Sequence, residues 1–282
     1  MSTKDLDSLL PSEMALQAEL IGVSKVKMTV SKTLVLAILA GAFIGFGAIL
    51  FTTVTTGSTM SYGITRLVGG LAFSLGLVLV IIGGAELFTG NNLIIMAWAN
   101  KKVSTSEVLM NWLWVYLGNM IGAIFIVILI LFSRQYFFGS GLIGKNILNI
   151  AKAKCELGFS QAIALGILCN ILVCLAVWLS YSVRSSTGKI LCIVFPITAF
   201  VAAGFEHSIA NMYFVPMGIL LLKFGDTKFF DSLNISIHDY DALTWSNYFM
   251  NNLLPVTIGN IIGGAGLVGL VYWFVFLRKN KT

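Results

Sequence analysis

His207 is the residue of this 282-residue chain with the plainest capacity for chemistry. It stands in an apolar run, residues 190–222, where an imidazole is the one side chain that exchanges a proton near neutral pH. Its surroundings read GFEHSIANM (204–212), and a related stretch, GAELFTGNN (84–92), lies inside the apolar run 67–100. The two share Gly, Glu and Asn at the same offsets, so Glu86 matches Glu206 and Asn91 matches Asn211. Opposite His207 stands Leu87, which makes the histidine a departure from the shared pattern. An ionisable group in such a segment points to a pathway for a solute or proton. Thr89 adds a hydroxyl to the first stretch, and its ordinary use would be back-bonding to a helical carbonyl.

The paired acids admit two readings. A carboxylate can accept hydrogen bonds from the free N–H groups that open a new half-helix, helped by its dipole. It can also bind a cation or relay protons. Duplication at one offset favours the structural use for Glu86 and Glu206. Asn91, Asn211, Asn119 and Asn260 read similarly, as side chains able to bridge interrupted backbone. Phe73, Leu77, Leu87, Phe88 and Phe200 lie in or beside these stretches, either as packing or lipid-facing groups or as apolar constrictions around a polar chamber.

The elements that must position these residues follow from composition. The chain is 57% hydrophobic and 11% charged, whereas a soluble domain carries about 25% charged residues. A spanning helix needs roughly 20 apolar residues, and six runs qualify: 34–54, 67–100, 108–133, 157–183, 190–222 and 242–277. The last exceeds one span, so its first part is expected as loop ending near Asn251. Continuous apolar runs, rather than short alternating ones, exclude a β-barrel. No cleavable signal peptide is evident, and Met14, Leu16, Leu20, Ile21 and Val23 suggest a surface-lying amphipathic helix before the first span. The four cysteines have no metal-ligand or disulfide spacing; Cys155 is expected alone in a loop. Eleven of the eighteen basic residues fall on the side of the termini, which places both termini in the cytoplasm. Arg134, Lys145, Lys152 and Lys154, in the third connection, run against that trend and form either a solvated loop or a funnel for anions.

The halves are related. NWLWVYLGNMIG (111–122) and NLLPVTIGNIIG (252–263) agree at seven of twelve positions and follow the two Glu-containing stretches in the same order. Three spans per half make the second copy enter from the opposite face. The expected architecture is all-α, six transmembrane helices in two inverted three-helix repeats, with the second and fifth helices broken near mid-membrane. The expected divisions are an N-terminal segment 1–28, a channel domain 29–275 (repeats about 29–135 and 157–275) and a tail 276–282. Residues 223–246, with Asp226, Asp231, Asp239 and Asp241, are expected as a longer solvated loop, and His238 as exposed.

IIGGAELFTG (81–90) and GILCNILVCLA (166–176), together with FEHSIANM, resemble the signature motifs of the formate/nitrite transporter family across essentially the whole chain. FEHSIANMYFVPMGI and NLLPVTIGNIIGG are most similar to its formate channels. The resemblance implies an aquaporin-like fold, a homopentamer with one pore per subunit, and passage of formate and similar small monovalent anions across a bacterial inner membrane. It implies a central pair, Thr89 and His207, between a cytoplasmic constriction of Leu77 and Leu87 and a periplasmic one of Phe73 and Phe200. Asn170, Lys154 and Asn260 match polar positions around the pore, and the N-terminal segment is tied to pH-dependent gating. Membrane lipid is an expected partner and nucleic acid is not; no cofactor, metal or enzymatic activity is expected. On this reading His207 protonates the anion so that it crosses as the neutral acid. A nitrite or hydrosulfide channel uses the same chemistry, and a neutral-solute pore is disfavoured because paired Asn-Pro-Ala breaks are absent.

Overall fold

Backbone amides find no water in hydrocarbon, so each apolar run closes its own hydrogen bonds as a helix. The computed structural model describes residues 8–278 and contains six helical stretches long and apolar enough to cross a membrane. The first seven residues and the last four, parts of the expected N-terminal segment and tail, lie outside the described residues. No strand occurs among the described residues.

A 16-residue helix, α1 (Pro11–Val26), precedes the first span, α2 (Val30–Thr55); of the apolar positions expected on one face, Met14 is buried but Leu16 and Leu20 are exposed. The second span is α3 (Tyr62–Gly83), a break, then the short helices α4 (Phe88–Asn91) and α5 (Ile95–Ala99). The third is α6 (Thr105–Ser133), which opens on a capping box between Ser104 and Glu107. An amphipathic helix, α7 (Leu142–Cys155), leads into the fourth span, α8 (Phe159–Ser182). The fifth is α9 (Ser186–Ala203), a break, then α10 (Ser208–Phe224). After a small helix, α11 (Thr227–Ser232), the sixth span runs from α12 (Trp245–Asn247) through α13 (Leu254–Ile261) to α14 (Val271–Phe276). Two π-helical stretches, Tyr248–Leu253 and Ile262–Leu270, join its pieces.

The two halves pack alike because the same small residues recur. An added Cβ at Gly41 would lie 2.0 Å from the Asn119 carbonyl oxygen, and one at Gly122 would lie 1.9 Å from that of Ile38, so α2 and α6 meet at backbone contact. The copies, α8 and α13, meet the same way: a Cβ at Gly259 or Gly263 would fall 2.3 Å from the carbonyl oxygens of Ile163 or Ile167. Tyr116 and Thr257 occupy matched positions of the two halves and touch each other, hydroxyl to hydroxyl at 2.9 Å. Residues related by a two-fold axis meet only on that axis, so this contact marks where it passes.

Four expectations change. The sixth span begins at Trp245, not near Asn251, because Thr244 caps it by accepting from the Asn247 N–H at 3.1 Å. Cys155 ends α7 and is buried rather than lying in a loop. Lys145, Lys152 and Lys154 ride on that amphipathic helix, not on a solvated loop. The 223–246 connection is anchored by Phe229, fully buried against Tyr136 and Phe137, and by an ion pair between Arg134 and Asp226. His238 is exposed, as expected.

Candidate functional site

Each broken span ends on a glycine in the left-handed region, Gly84 at φ +74° and Gly204 at φ +79°, a conformation glycine adopts without penalty. The chain then doubles back on its own last turn: the Ala85 N–H donates to the Val80 carbonyl at 2.9 Å, and that of Phe205 to Phe200 at 3.0 Å. Extended residues follow, Leu87 (φ −109°) and His207 (φ −111°), before helix resumes at Phe88 and Ser208.

Interruption leaves amide groups in a dry interior, where an unmet donor or acceptor is costly. One asparagine per half meets two of them and ties them to a carbonyl of a neighbouring unbroken helix. Asn119 accepts from the Phe88 N–H at 3.0 Å and donates to the carbonyls of Glu86 (2.9 Å) and Ala37 (2.8 Å). Asn260 accepts from the Ser208 N–H at 2.9 Å and donates to the carbonyls of Glu206 (3.0 Å) and Gly166 (2.7 Å). The carboxylates therefore have other partners than the free N–H groups expected of them. Glu86 accepts from the Lys25 ammonium and from Asn91, both at 2.7 Å. Glu206 accepts from the Lys154 ammonium at 2.8 Å, from Asn211 at 2.6 Å and from Asn252 at 3.2 Å. Asn111 and Asn252 complete the matched networks by accepting from Asn91 (2.9 Å) and Asn211 (2.7 Å).

Lys25 and Lys154 come from α1 and α7, so each half contributes a helix whose last turn carries a lysine to its own break. The matched unit thus starts earlier than residues 29 and 157. Nothing in hydropathy marks these lysines. The available signal is a lysine at the end of a helical stretch just before the first span of each half.

Between the two breaks, Thr89 Oγ1 and His207 Nε2 lie 2.9 Å apart, with both side chains buried. The histidine also caps its own half-helix, since Nδ1 accepts from the Ala210 N–H at 3.0 Å. A nitrogen that accepts carries no proton. Neutral His207 therefore holds its proton on Nε2 and donates it to the Thr89 oxygen, leaving the threonine hydroxyl hydrogen free to donate elsewhere.

A cavity approaches this pair from each side. One, of about 610 Å³, is lined by Lys25, Arg184 and Lys189 and floored by Leu77 and Leu87. The other, of about 560 Å³, is lined by Arg66 and Lys154 and reaches His207 past Phe73 and Phe200. The two phenylalanines meet edge to face at 5.8 Å, and Phe200 stacks on the imidazole at 5.9 Å. Phe88 stands apart from both constrictions. Its ring turns to α6, packing on Tyr116 at 4.9 Å and Trp112 at 6.1 Å, because position 88 starts a helix whose opposite side carries the pathway. Asn170 and Asn260 line neither cavity. Asn170 lies behind the threonine, donating to Asn92 at 2.9 Å, to the Asn260 carbonyl at 2.7 Å and weakly to the Thr89 carbonyl. Among the described residues no group of His, Cys, Asp and Glu could hold a metal ion.

Six spans in inverted halves, with broken helices meeting at a polar pair between two basic cavities, define a membrane transport protein of channel type. The sequence matches the family model described as formate/nitrite transporter over residues 12–274, and the chain belongs to that family. It is 46% identical over 275 residues to the formate channel FocA of Escherichia coli (strain K12), covering 97% of this chain and 96% of the relative. It is 43% identical to FocA of Haemophilus influenzae, covering 82% of each. A solved pentameric formate channel with formate bound superposes at a TM-score of 0.84 and 47% identity, covering 88% of this chain and 98% of the other. Membership makes this chain a transporter rather than an enzyme.

Proposed function

We propose that this protein conducts formate across the bacterial inner membrane as a homopentamer, one path per subunit, with both termini in the cytoplasm. The observation that carries the reading is the buried Thr89–His207 pair held between two lysine-bearing cavities. Relatives that are formate channels, and a pentameric one with formate bound, support the substrate and the assembly.

The chemistry runs as follows. Lys154 and Lys25 are each matched by a carboxylate of the same cavity, so the net positive potential that concentrates small anions comes from Arg66 on one side and from Lys189 on the other. A carboxylate cannot cross the Leu77–Leu87 or Phe73–Phe200 constriction as a bare ion, because an unpaired charge in low dielectric is too costly. Formic acid is neutral and can. In the chamber the Thr89 hydroxyl and His207 Nε2–H are two donors for one carboxylate. To hand over a proton and remain neutral, His207 must first hold two. The second belongs on Nδ1, where the Ala210 N–H now points, so protonation requires that cap bond to open. The imidazolium then transfers its Nε2 proton to a formate oxygen, and the acid leaves through the next constriction.

The test is formate flux in proteoliposomes at several pH values. His207→Phe, which keeps a ring on Phe200 but has no proton to give, is expected to abolish the pH dependence of flux. Unchanged flux and pH dependence in that variant would remove His207 from the mechanism. Nitrite and hydrosulfide as competitors in the same assay measure the preference for formate.

A further inference from the structure

We infer that Arg66 determines size selection on the Lys154 side, by clamping together the two helices that carry the phenylalanine constriction. The inference deepens the proposed function and rests on reading Phe73 and Phe200 as a filter.

One stripe of α3 carries Arg66, Gly70, Phe73 and Leu77, spaced at four, three and four residues and so on one helix face. The guanidinium at its outer end crosses to α9, donating Nε–H to the Ala202 carbonyl at 3.2 Å and Nη2–H to that of Val201. Those carbonyls belong to the last turn before the break, where intrahelical donors thin out; that of Val201 also accepts from the Gly204 N–H at 3.1 Å. Phe200 is the residue immediately before them. One turn in from Arg66, α3 and α9 approach at Gly70, where an added Cβ would fall 2.7 Å from the Thr198 carbonyl oxygen. Arg66 and the Phe73–Phe200 pair line the same cavity, and the arginine contact and this close approach together set the separation of the helices at the rings.

The guanidinium is itself held. It lies 5.6 Å over Phe51, whose ring meets Phe214 at 5.9 Å, and Phe214 stacks on Phe73 at 6.4 Å. A planar fork that spans two carbonyls while stacking on a ring is an arginine task that lysine's single ammonium cannot duplicate. Arg66 is thus a positioning residue, acting on the solute through the spacing of Phe73 and Phe200.

The experiment compares uptake of formate with that of acetate and propionate by proteoliposomes containing the wild type, Arg66→Gln or Arg66→Lys, each checked for intact oligomer by gel filtration. The formate-to-propionate ratio is expected to fall on the order of tenfold in both variants, the factor one lost charge-assisted hydrogen bond is worth. Lysine keeps the charge, so a ratio lost in Arg66→Gln but kept in Arg66→Lys would overturn the clamp in favour of plain electrostatics. An unchanged ratio in both would overturn it as well. Should Arg66→Gln fail to assemble, the milder Arg66→Lys decides. If the wild type itself passes propionate as readily as formate, the filter reading fails first, an outcome distinct from failure of the clamp.

Discussion

Lys154 and Glu206 form a close pair, 2.8 Å apart, with side chains 15% and 8% exposed. Two charges in such a place are costly to bury, and removing one partner of a buried pair costs about 3–5 kcal/mol because the other is left uncompensated. Lys154→Met should therefore lower the thermal stability of the detergent-solubilised protein and also stop anion flux. Adding Glu206→Gln removes the stranded carboxylate, so the double variant should recover most of the stability and none of the flux. Recovery of flux together with stability would show that the lysine only neutralises Glu206 and does not serve the anion. At this scale the sequence was partly legible. Glu86, Glu206, Asn91 and Asn211 stood out because duplication exposed them, and Thr89 and His207 because polar groups are rare in such runs. Lys25 and Lys154 stayed hidden as partners, since a lysine outside a span looks like any loop charge until the helix bearing it folds back onto the break.

Among the elements, α1 shows how a peripheral helix becomes part of the interior. Its Gly22 lies on the first of the two broken spans: an added Cβ would stand 3.2 Å from that of Ala97 and 3.4 Å from the Ile94 Cα. Glu19 accepts from Asn100 at 2.8 Å and Lys25 reaches Glu86, so three points fix α1 along α4 and α5. Gly22→Val adds bulk where there is none to spare, and overpacking of this kind costs typically 1–3 kcal/mol. Hydrogen–deuterium exchange should rise over residues 88–99, while residues 204–211, held by α7 instead, stay protected. A rise of equal size at both breaks would mean that the variant loosens the whole fold and that α1 does not specifically brace its own half. A helix before the first span was expected from the sequence; its docking face was not, because Leu16 and Leu20 stay exposed while Gly22, Glu19 and Lys25 make the contacts. The π-helical stretches of the last span were equally silent. An apolar run reads the same in α and π turns, although here the wider turn sets Gly264 against Asn170 and Gly269 against Ile95.

In the whole molecule four glycines of α2 and α6 are spent inside the protomer. Gly41, Gly45, Gly118 and Gly122 all serve the α2–α6 contact, so none is left as a stripe for neighbouring subunits. Every group around the central pair also comes from one chain: Lys25, Glu86 and Thr89 from the first half, Lys154, Glu206 and His207 from the second. One path per subunit, as proposed above, has a consequence for the pentamer, whose mass should be about five times the 30.6 kDa of one chain. Subunits that share no pathway residue should conduct independently. When wild-type and His207→Phe chains are co-expressed with different tags and purified as mixed pentamers, the pH-dependent part of the formate flux should fall in direct proportion to the wild-type fraction. A path shared between subunits, or a gate that opens all five together, would instead make that part fall far more steeply, toward the fifth power of that fraction. The inverted repeat is why independence is the expected outcome: both halves of the two-fold site, Thr89 with Glu86 and His207 with Glu206, are encoded in one chain.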